Sequence, residues 1–441
     1  MKDTTLEDLY QEIIRRNKPL GKYFNRTDLA LFNEGLGKHK LHVLKAQGCF
    51  IEDPSGHKYI DTGLGAGTHI LGYAPAVVAK AMAKQVKEGT LFIAPNEYMY
   101  EVGGMLKSIL KHFYGFVFCN SGAEATMRAV RIARAFTGKK KIAFFSGGWH
   151  GGHDVMLFED NYQGADGCTP EFKSAGVPEE FRDMIVMLPY NDPKAFEMIE
   201  KHKDDLAMVI IEPSQGSNPR DDVKDFLNQL RAVTAKNNIL LCFDEIISGF
   251  RVALGGCQDY YGIKADLATY GKTVGGGMPI GVIAGKKEVM DVIKGGQGKK
   301  SVFMGGTFSA NPLTMQASRT LLKYLITHKK TIYPYLDKQG KRMRREINNF
   351  CKTKNIPVRM IGIASMSRLI FTDYPINSRR DRDQHEADYT FQEKFYTYLL
   401  LNGGVHVSGN RTLFLSTAHK ESHVKKIIQA FQETLIHFYK S

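Results

Sequence analysis

The feature of this sequence that most constrains its fold is an alternation of short apolar runs and amphipathic stretches between residues 114 and 285. Apolar runs that are continuous, rather than alternating with polar residues, predict strands buried on both faces. The intervening stretches have helical spacing and would cover those faces. We therefore predict an α/β fold with a mostly parallel central sheet, and we expect functional groups at the carboxyl ends of its strands. The predicted strands are YGFVFCN (114–120), KIAFFSG (141–147), LAMVIIEP (206–213), ILLCFDEI (239–246), LATYGK (267–272) and PIGVIAG (279–285).

The regions on either side of this core have different patterns. CFIEDPSGHKYID (49–61) is typical of a hairpin, and a long helical stretch begins near residue 313. The C-terminal region then shows its own helices and strands, which predicts a smaller α+β domain. The glycine-rich, aperiodic segment 151–181 is typical of a functional or mobile loop. We predict three parts: an N-terminal helix and hairpin segment at 1–65, a large domain at 66–320 and a small α+β domain at 321–441.

Charge and composition exclude several classes of protein. The formal net charge is +14, but the basic clusters, Arg379–Arg382 among them, are short and lack interleaved aromatic residues. We interpret them as solvated surface and predict no nucleic-acid partner. No apolar run approaches the roughly 20 residues that cross a bilayer, and the start does not resemble a signal peptide. The six cysteines lack the spacing of a metal site. We expect a cytoplasmic protein without a metal or a membrane partner.

Two of the predicted strand ends carry groups suited to a phosphorylated, planar ligand. In CNSGAEA, residues Ser121, Gly122 and Ala123 begin a helix, where the backbone N–H groups and the helix dipole favour a phosphate. A plain N-terminal cap at Ser121 is the alternative. SGGWHGGHD contains the only tryptophan, Trp149, whose flat ring could stack on a cofactor. For the neighbouring His150 we expect a structural hydrogen-bonding role.

Two further strand ends carry an acid and an amine. Asp244 directly follows an apolar strand in LLCFDEIISGFR, where a buried carboxylate needs a cationic partner unless it caps a helix. Lys272 stands in LATYGKTVGGGMPIG; it could be a surface lysine, but a desolvated lysine has a lowered pKa and can form a Schiff base. A phosphate site, a stacking ring, a carboxylate for a ring nitrogen and an amine for an aldehyde are together what pyridoxal phosphate requires.

Several segments resemble blocks of the class III, fold-type I aminotransferases, which depend on pyridoxal phosphate. The segment FLSTAHKESHVKKIIQAF makes the chain most similar to the glutamate-1-semialdehyde 2,1-aminomutase branch. The resemblance extends from about residue 48 to residue 432. It implies a transaminase of fold type I that binds pyridoxal phosphate and forms a homodimer. The other resembling blocks are NSGAEATMRAVRIAR, WHG, IIEP, DEIISGFR, ADLATYGK, GGGMPIG and GGTFSANPLT.

The resemblance also implies roles for individual residues. Lys272 would hold pyridoxal 5'-phosphate as a covalent internal aldimine, and Asp244 would pair with the pyridinium nitrogen. Trp149 and Ile246 would pack on opposite faces of the ring. The other implied residues are Ser121, Gly122 and Ala123 on the phosphate, Thr307 on the phosphate of the neighbouring subunit, and Glu212 near the cofactor and substrate.

The chain departs from the aminomutase branch around the substrate. Ala66, in GLGAGTHILGYAP, stands where the branch has a tryptophan, and Arg411 stands where it has an acidic residue. An arginine in place of an acid favours a substrate carboxylate. We therefore predict amino transfer from an L-amino acid, taken as L-glutamate, to an aldehyde or ketone such as a carboxylated octulosonate sugar in bacterial amino-sugar biosynthesis.

Two other functions are compatible with the same residues. One is the aminomutase itself, which converts glutamate-1-semialdehyde into 5-aminolevulinate. The other is a catalytically silent scaffold of the same fold. The presence of both Asp244 and Lys272 argues against the scaffold, since neither residue is needed for packing alone.

Overall fold

The computed structural model describes residues 8, 11–12, 41–161, 168–295 and 301–439. No helix in these ranges is both long and apolar enough to cross a membrane. The strands are β1 (Lys45–Gln47), β2 (Phe50–Glu52), β3 (Lys58–Asp61), β4 (Gly115–Cys119), β5 (Lys141–Phe145), β6 (Phe158–Asp160), β7 (Pro170–Phe172), β8 (Ile185–Leu188), β9 (Leu206–Ile211), β10 (Leu240–Glu245), β11 (Leu267–Gly271), β12 (Gly281–Gly285), β13 (Arg359–Ile363), β14 (Met366–Ile370), β15 (Val405–His406) and β16 (Thr412–Phe414). The helices are α1 (Ala76–Glu88), α2 (Glu97–Ile109), α3 (Gly122–Thr137), α4 (Lys194–Lys201), α5 (Lys224–Lys236), α6 (Gly256–Tyr261), α7 (Lys287–Met290), α8 (Pro312–Lys354), α9 (Arg379–His385), α10 (Tyr389–Gly403) and α11 (Glu421–Tyr439).

A seven-stranded sheet carries the predicted core. Its strand order is β4–β12–β11–β10–β9–β5–β8. Strands β8, β5, β9, β10 and β11 are parallel, whereas β12 runs antiparallel to both β11 and β4. The mostly parallel sheet and its six predicted strands are confirmed. The edge strand β8 was not predicted, since its four apolar residues follow a long aperiodic segment.

Helices cover both faces of this sheet, as the fold prediction requires. Alternate residues of β9 belong to different cores: Val209 and Ile211 pack on one side, Met208 and Ile210 on the other. Helix α3 lies on the second side and buries a stripe of alanines that allows a close approach to the strands. Helix α5 packs through Phe226, among other residues, on the first side.

The C-terminal region contains a separate three-stranded antiparallel sheet, β13–β14–β16. The helical stretch predicted to begin near residue 313 is a 43-residue helix, α8, with a break at His328, and this helix runs through the predicted boundary at residue 320. Strand β15 pairs in parallel with β3, so the C-terminal region and the predicted hairpin share a four-stranded sheet. This pairing brings residues near 405 beside residues near 61.

Candidate active site

A cavity of about 480 Å³ lies at the carboxyl edge of the central sheet. Five strands contribute residues to it, because parallel strands end at the same edge. The segments that follow β4, β5, β9 and β11 line the cavity together with the end of β10. The structure thus brings together eight of the predicted residues: Ser121, Gly122, Ala123, Trp149, Glu212, Asp244, Ile246 and Lys272.

Asp244 is buried and held by three hydrogen-bond donors. His150 Nδ1 lies 2.7 Å from Oδ2, while the Thr269 hydroxyl and the Ile246 N–H donate to Oδ1, each at 3.1 Å. A carboxylate only accepts hydrogen bonds, so Nδ1 of His150 carries the proton. His150 thereby has the hydrogen-bonding role expected for it. Thr269 was not predicted; it neighbours Asp244 in the β10–β11 register, which the sequence does not reveal.

Lys272 directly follows β11 and is half-buried, with a left-handed backbone φ of 45°. Burial lowers the pKa of its ammonium group, and the nearby Glu212 and Asp244 carboxylates only partly oppose this effect. A lowered pKa favours the neutral amine, which is the form that attacks a carbonyl. The side chain therefore has the environment of a nucleophile rather than that of a surface lysine.

Glu212 anchors the loops on the other side of the cavity. Its Oε1 accepts a hydrogen bond from the Trp149 N–H at 2.9 Å, and Oε2 accepts one from the Gly216 N–H at 2.8 Å. Burial raises the pKa of this carboxyl group. The Trp149 ring stays half-exposed, and the Lys173 ammonium lies 5.1 Å from its centroid. Lys173 follows the β6–β7 hairpin within the segment predicted to be a functional or mobile loop.

The start of helix α3 forms a third wall of the cavity. Ser121 is the N-cap residue, since its hydroxyl accepts a hydrogen bond from the Glu124 N–H at 3.1 Å. This capping role leaves the hydroxyl hydrogen and the first backbone N–H groups available to an anion. Gly151 lies against Ala123: a side chain at Gly151 would come within 2.6 Å of the Ala123 backbone. Only glycine allows this approach, so the turn after Trp149 sits close to the helix start.

A second cavity, of about 930 Å³, adjoins the first and shares Trp149, Glu212, Ile247 and Lys272 with it. Arg411 lines this second cavity and is 9% exposed. Its guanidinium group binds the Gln392 side-chain oxygen and lies 4.1 Å from the centre of the Tyr389 ring. Ala66 also lines this cavity, within a left-handed turn at Leu64–Gly67. The two substrate-region departures, Ala66 and Arg411, are thus brought to one cavity.

Most of the positive charge in this second cavity was not predicted from the sequence. Arg368, Arg379 and Arg382 line it beside Arg411. The interpretation of Arg379–Arg382 as solvated surface was wrong for its first and last members: Arg379 lines the cavity, and Arg382 is 4% exposed because α9 packs against the loop at Ser217. All seven residues of α9, RRDRDQH, are charged or polar, so the sequence has no apolar stripe that would mark a buried face.

Comparison with known proteins identifies the family. The model of the family "Aminotransferase class-III" matches residues 32–366. The chain belongs to the class-III aminotransferases. A glutamate-1-semialdehyde 2,1-aminomutase from Methanococcoides burtonii is 36% identical over 90% of this chain and 92% of its own. Among solved structures, an omega-transaminase from Sphaerobacter thermophilus is 27% identical with a TM-score of 0.84, covering 98% of both chains. A transaminase with pyridoxal phosphate bound is 26% identical with a TM-score of 0.82, covering 98% of this chain and 97% of its own.

This class-III aminotransferase is therefore a pyridoxal-phosphate-dependent enzyme of fold type I. The cofactor cavity, defined as the 480 Å³ cavity above, fits the group. A helix start faces it with available N–H groups, a fixed carboxylate reaches it from β10, and a buried amine enters from β11. Ile246 lies within contact distance of the positions that side chains at Gly122 and Gly271 would occupy, which leaves it packed between those two glycines.

Thr307 lies apart from these residues. It is exposed, and it lines neither cavity of its own subunit. Its predicted reach to the phosphate of a neighbouring subunit stays a prediction. The same holds for the homodimer and for the cytoplasmic location.

Proposed function

We propose that this aminotransferase acts on a small carbonyl substrate that carries a carboxylate, with Lys272 as the amine that holds the cofactor and moves the proton. The observation that carries the proposal is that Lys272 lines both cavities. A substrate whose carboxylate binds Arg411 can therefore extend its reacting carbon towards the same amine that attaches the cofactor. Lysine and arginine act here as a titratable base and a permanent cation, respectively.

The residues of the cofactor cavity have complementary tasks in this proposal. Bound pyridoxal phosphate supplies an aldehyde and an electron-withdrawing ring. The amine of Lys272, whose lowered pKa favours the neutral form, can accept a proton from a substrate carbon and return it. Asp244 would hold the ring nitrogen, and its bonds to His150 and Thr269 fix its orientation.

The remaining predicted residues would bind the cofactor phosphate and enclose the cofactor ring. Ser121, Gly122 and Ala123 would bind the phosphate, Trp149 and Ile246 would cover the two ring faces, and Glu212 would hold the wall between cofactor and substrate. Enclosure between apolar faces excludes water, which would otherwise compete for the reacting groups.

The first candidate reaction is that of glutamate-1-semialdehyde 2,1-aminomutase. The curated relatives support it, since those 34–36% identical to this chain carry that name. The aminomutase was the alternative in the sequence analysis, and these relatives favour it over amino transfer to an octulosonate sugar, which none of their names supports.

A second candidate is transfer of the amino group from L-glutamate to a separate carboxylated aldehyde or ketone. The observation that favours it is the size and charge of the second cavity. Its volume is about 930 Å³, Ala66 leaves one wall without a large ring, and four arginines line it. Such a cavity can hold a substrate longer than a five-carbon semialdehyde.

One pair of assays tests the proposal and separates the candidates. Purified holoenzyme is incubated with glutamate-1-semialdehyde alone, and separately with L-glutamate and a carboxylated aldehyde. Formation of 5-aminolevulinate without an added donor would support the aminomutase; formation of 2-oxoglutarate that depends on the added aldehyde would support the intermolecular reaction. Absence of both products, from protein that binds pyridoxal phosphate, would contradict the proposal.

We also propose that the enzyme works as a homodimer, with Thr307 contributing to the partner subunit's phosphate site. Large apolar side chains are exposed on both sides of this position: Phe303 is 75% exposed and Phe308 is 58% exposed. Ile93, 90% exposed, lies in a nearby segment, which the Asn96 amide ties to the carbonyl of Ala310. Exposed apolar clusters of this kind mark protein interfaces. A single-subunit mass in sedimentation equilibrium of the holoenzyme would rule the dimer out.

A further inference from the structure

The second cavity contains more positive than negative charge. Among the described residues that line it, and apart from the amine of Lys272, five side chains are cationic and four are carboxylates, which leaves an excess of one positive charge. The cationic ones are Lys173, Arg368, Arg379, Arg382 and Arg411, and the carboxylates are Glu212, Asp383, Glu386 and Asp388. Uncompensated charge in a partly enclosed cavity is costly, so the arrangement favours a bound anion.

The excess is concentrated around three buried arginines. Glu386 is shared: it lies 3.2 Å from Arg382 Nε and 3.7 Å from Arg368 Nη2. Asp383 pairs with both Arg379 and Arg382. Arg411 has a neutral partner, Gln392, and no described carboxylate lies within 4.0 Å of its nitrogens. Two carboxylates, Glu386 and Asp383, thus serve three guanidinium groups, while Arg411 pairs with neither.

One nitrogen in this cluster has no hydrogen-bond partner. Arg368 is 5% exposed, and its Nε is buried without an acceptor. Its Nη1 donates to the carbonyl of Asn410 at 2.5 Å, which fixes the side chain against the loop that carries Arg411. Burial, followed by the positive charges of Arg382 and others, lowers the pKa of this guanidinium group. The site is short of one acceptor and of negative charge.

The loop that carries Arg411 is fixed before any ligand binds. The Arg411 N–H donates to the Ser408 carbonyl at 2.7 Å, and the Ser408 hydroxyl donates to the Asn410 side chain at 2.6 Å. Arg411 has a φ of 60°, which these contacts hold in place. A cationic group that needs little ordering on binding gives higher affinity than a mobile one.

We infer that Arg368, Arg382 and Arg411 form one anion subsite, which binds a carboxylate that the substrate carries away from its reacting carbon. The inference rests on the proposed function for the location of that carbon, at Lys272. The three arginines come from β14, α9 and the loop before β16, whereas Lys272 follows β11 of the central sheet. The substrate class is therefore a carbonyl acid long enough to extend between these two walls, and neutral amines or ketones are excluded.

Binding of unreactive probes to the holoenzyme tests this subsite without turnover. The probes are glutarate and its neutral analogue 1,5-pentanediol, measured by isothermal titration calorimetry. We expect glutarate to bind at least tenfold more tightly than the diol, and R368Q and R382Q each to weaken glutarate about fivefold or more without changing the diol, since a charge-assisted pair is lost. R344Q is the matched control: Arg344 is a buried arginine of α8 outside the cavity.

A second variant keeps the test decisive where the arginine variants misfold. E386Q removes the carboxylate that competes for Arg368 and Arg382 but keeps an oxygen for the N–H of Phe371. It should tighten glutarate binding about threefold, which a merely structural role for Glu386 would not do. Equal affinity of glutarate and the diol, or glutarate binding unchanged or weakened in E386Q, would overturn the subsite. Normal probe binding in an enzyme that transfers no amino group would instead refute the proposed function alone.

Discussion

The two cavities of this enzyme differ in how their residues are assembled. The cofactor cavity is built from the carboxyl ends of five strands of one sheet, so its parts follow from a single topology. The second cavity, called the arginine-lined cavity below, also takes residues from a left-handed turn near 66, the hairpin near 173 and the segment 368–411. The central sheet thus positions the residues that would react with the cofactor, whereas packing between segments distant in the chain positions the residues that would select the substrate.

The two cavities also differ in electrostatic balance. In the cofactor cavity, each carboxylate is satisfied: Asp244 accepts three hydrogen bonds, and Glu212 accepts two from backbone N–H groups. In the arginine-lined cavity, positive charges exceed negative ones. A balanced site holds its own groups in place, and an unbalanced one attracts a ligand.

Among the substitutions, Lys272→Ala should give the largest difference between its effect on the reaction and its effect on anion binding. We expect amino transfer to fall about 10³-fold or more, because the proton-transferring amine is lost, whereas glutarate affinity should change less than twofold. Product formation and calorimetry give the two readouts. The control is Lys294→Ala, which removes a lysine with a side chain 68% exposed. Substantial turnover in the Lys272 variant would remove it from the chemistry.

Asp244→Asn should have the next largest effect. The variant keeps the size of the side chain but loses the buried negative charge, and we expect turnover to fall about 100-fold. Asp266→Asn is the control: Asp266 is a buried aspartate at the opposite edge of the same sheet, paired with Lys286 and Arg231. That variant should lose thermal stability but keep its turnover per folded molecule. Equal losses of turnover in the two variants would show that buried charge, rather than position, matters.

The pH dependence should separate the two cavities further. The lowered pKa of Lys272 means that its neutral fraction rises with pH and levels off below the ordinary lysine value of 10.5. Attachment of pyridoxal phosphate to apoenzyme, followed by absorbance, should thus quicken about tenfold per pH unit below that pKa and then level off. Glutarate affinity of the holoenzyme should stay constant from about pH 6.5 to 8, since the guanidinium groups of the subsite and the carboxylates of glutarate itself keep their charges there. The reference is the free side-chain amine of Nα-acetyllysine. An attachment rate that rises with pH over the same range as the rate of this reference would contradict a lowered pKa for Lys272.

The smallest effect is expected from Ala66→Trp, which narrows the arginine-lined cavity. Adipate should bind roughly fivefold more weakly, because the longer acid needs the space beside Ala66, and succinate should change little. Ala74→Trp provides the control, since Ala74 also has a left-handed backbone but lines neither cavity. Equal losses for adipate and succinate would indicate a distorted turn instead of a narrowed cavity.

The sequence alone determined the central sheet and the residues at its edge. Six apolar runs predicted six of its seven strands, and parallel strands necessarily end together, so residues as distant as Ser121 and Lys272 could be assigned to one place. The period of a strand and the position of its end are local properties of the chain. For this reason both properties can be predicted from a single sequence.

Only the tertiary structure decided the surroundings of the substrate. In the sequence, Arg382 belongs to a short basic run that is typical of a solvated surface, but the packing of α9 buries it beside the cavity. His150 and Thr269 both contact Asp244, and these contacts depend on loop packing and on strand register. The pairing of β15 with β3 brings together residues about 345 apart in the chain. Such contacts depend on how finished elements pack, and no local pattern of residues encodes that packing.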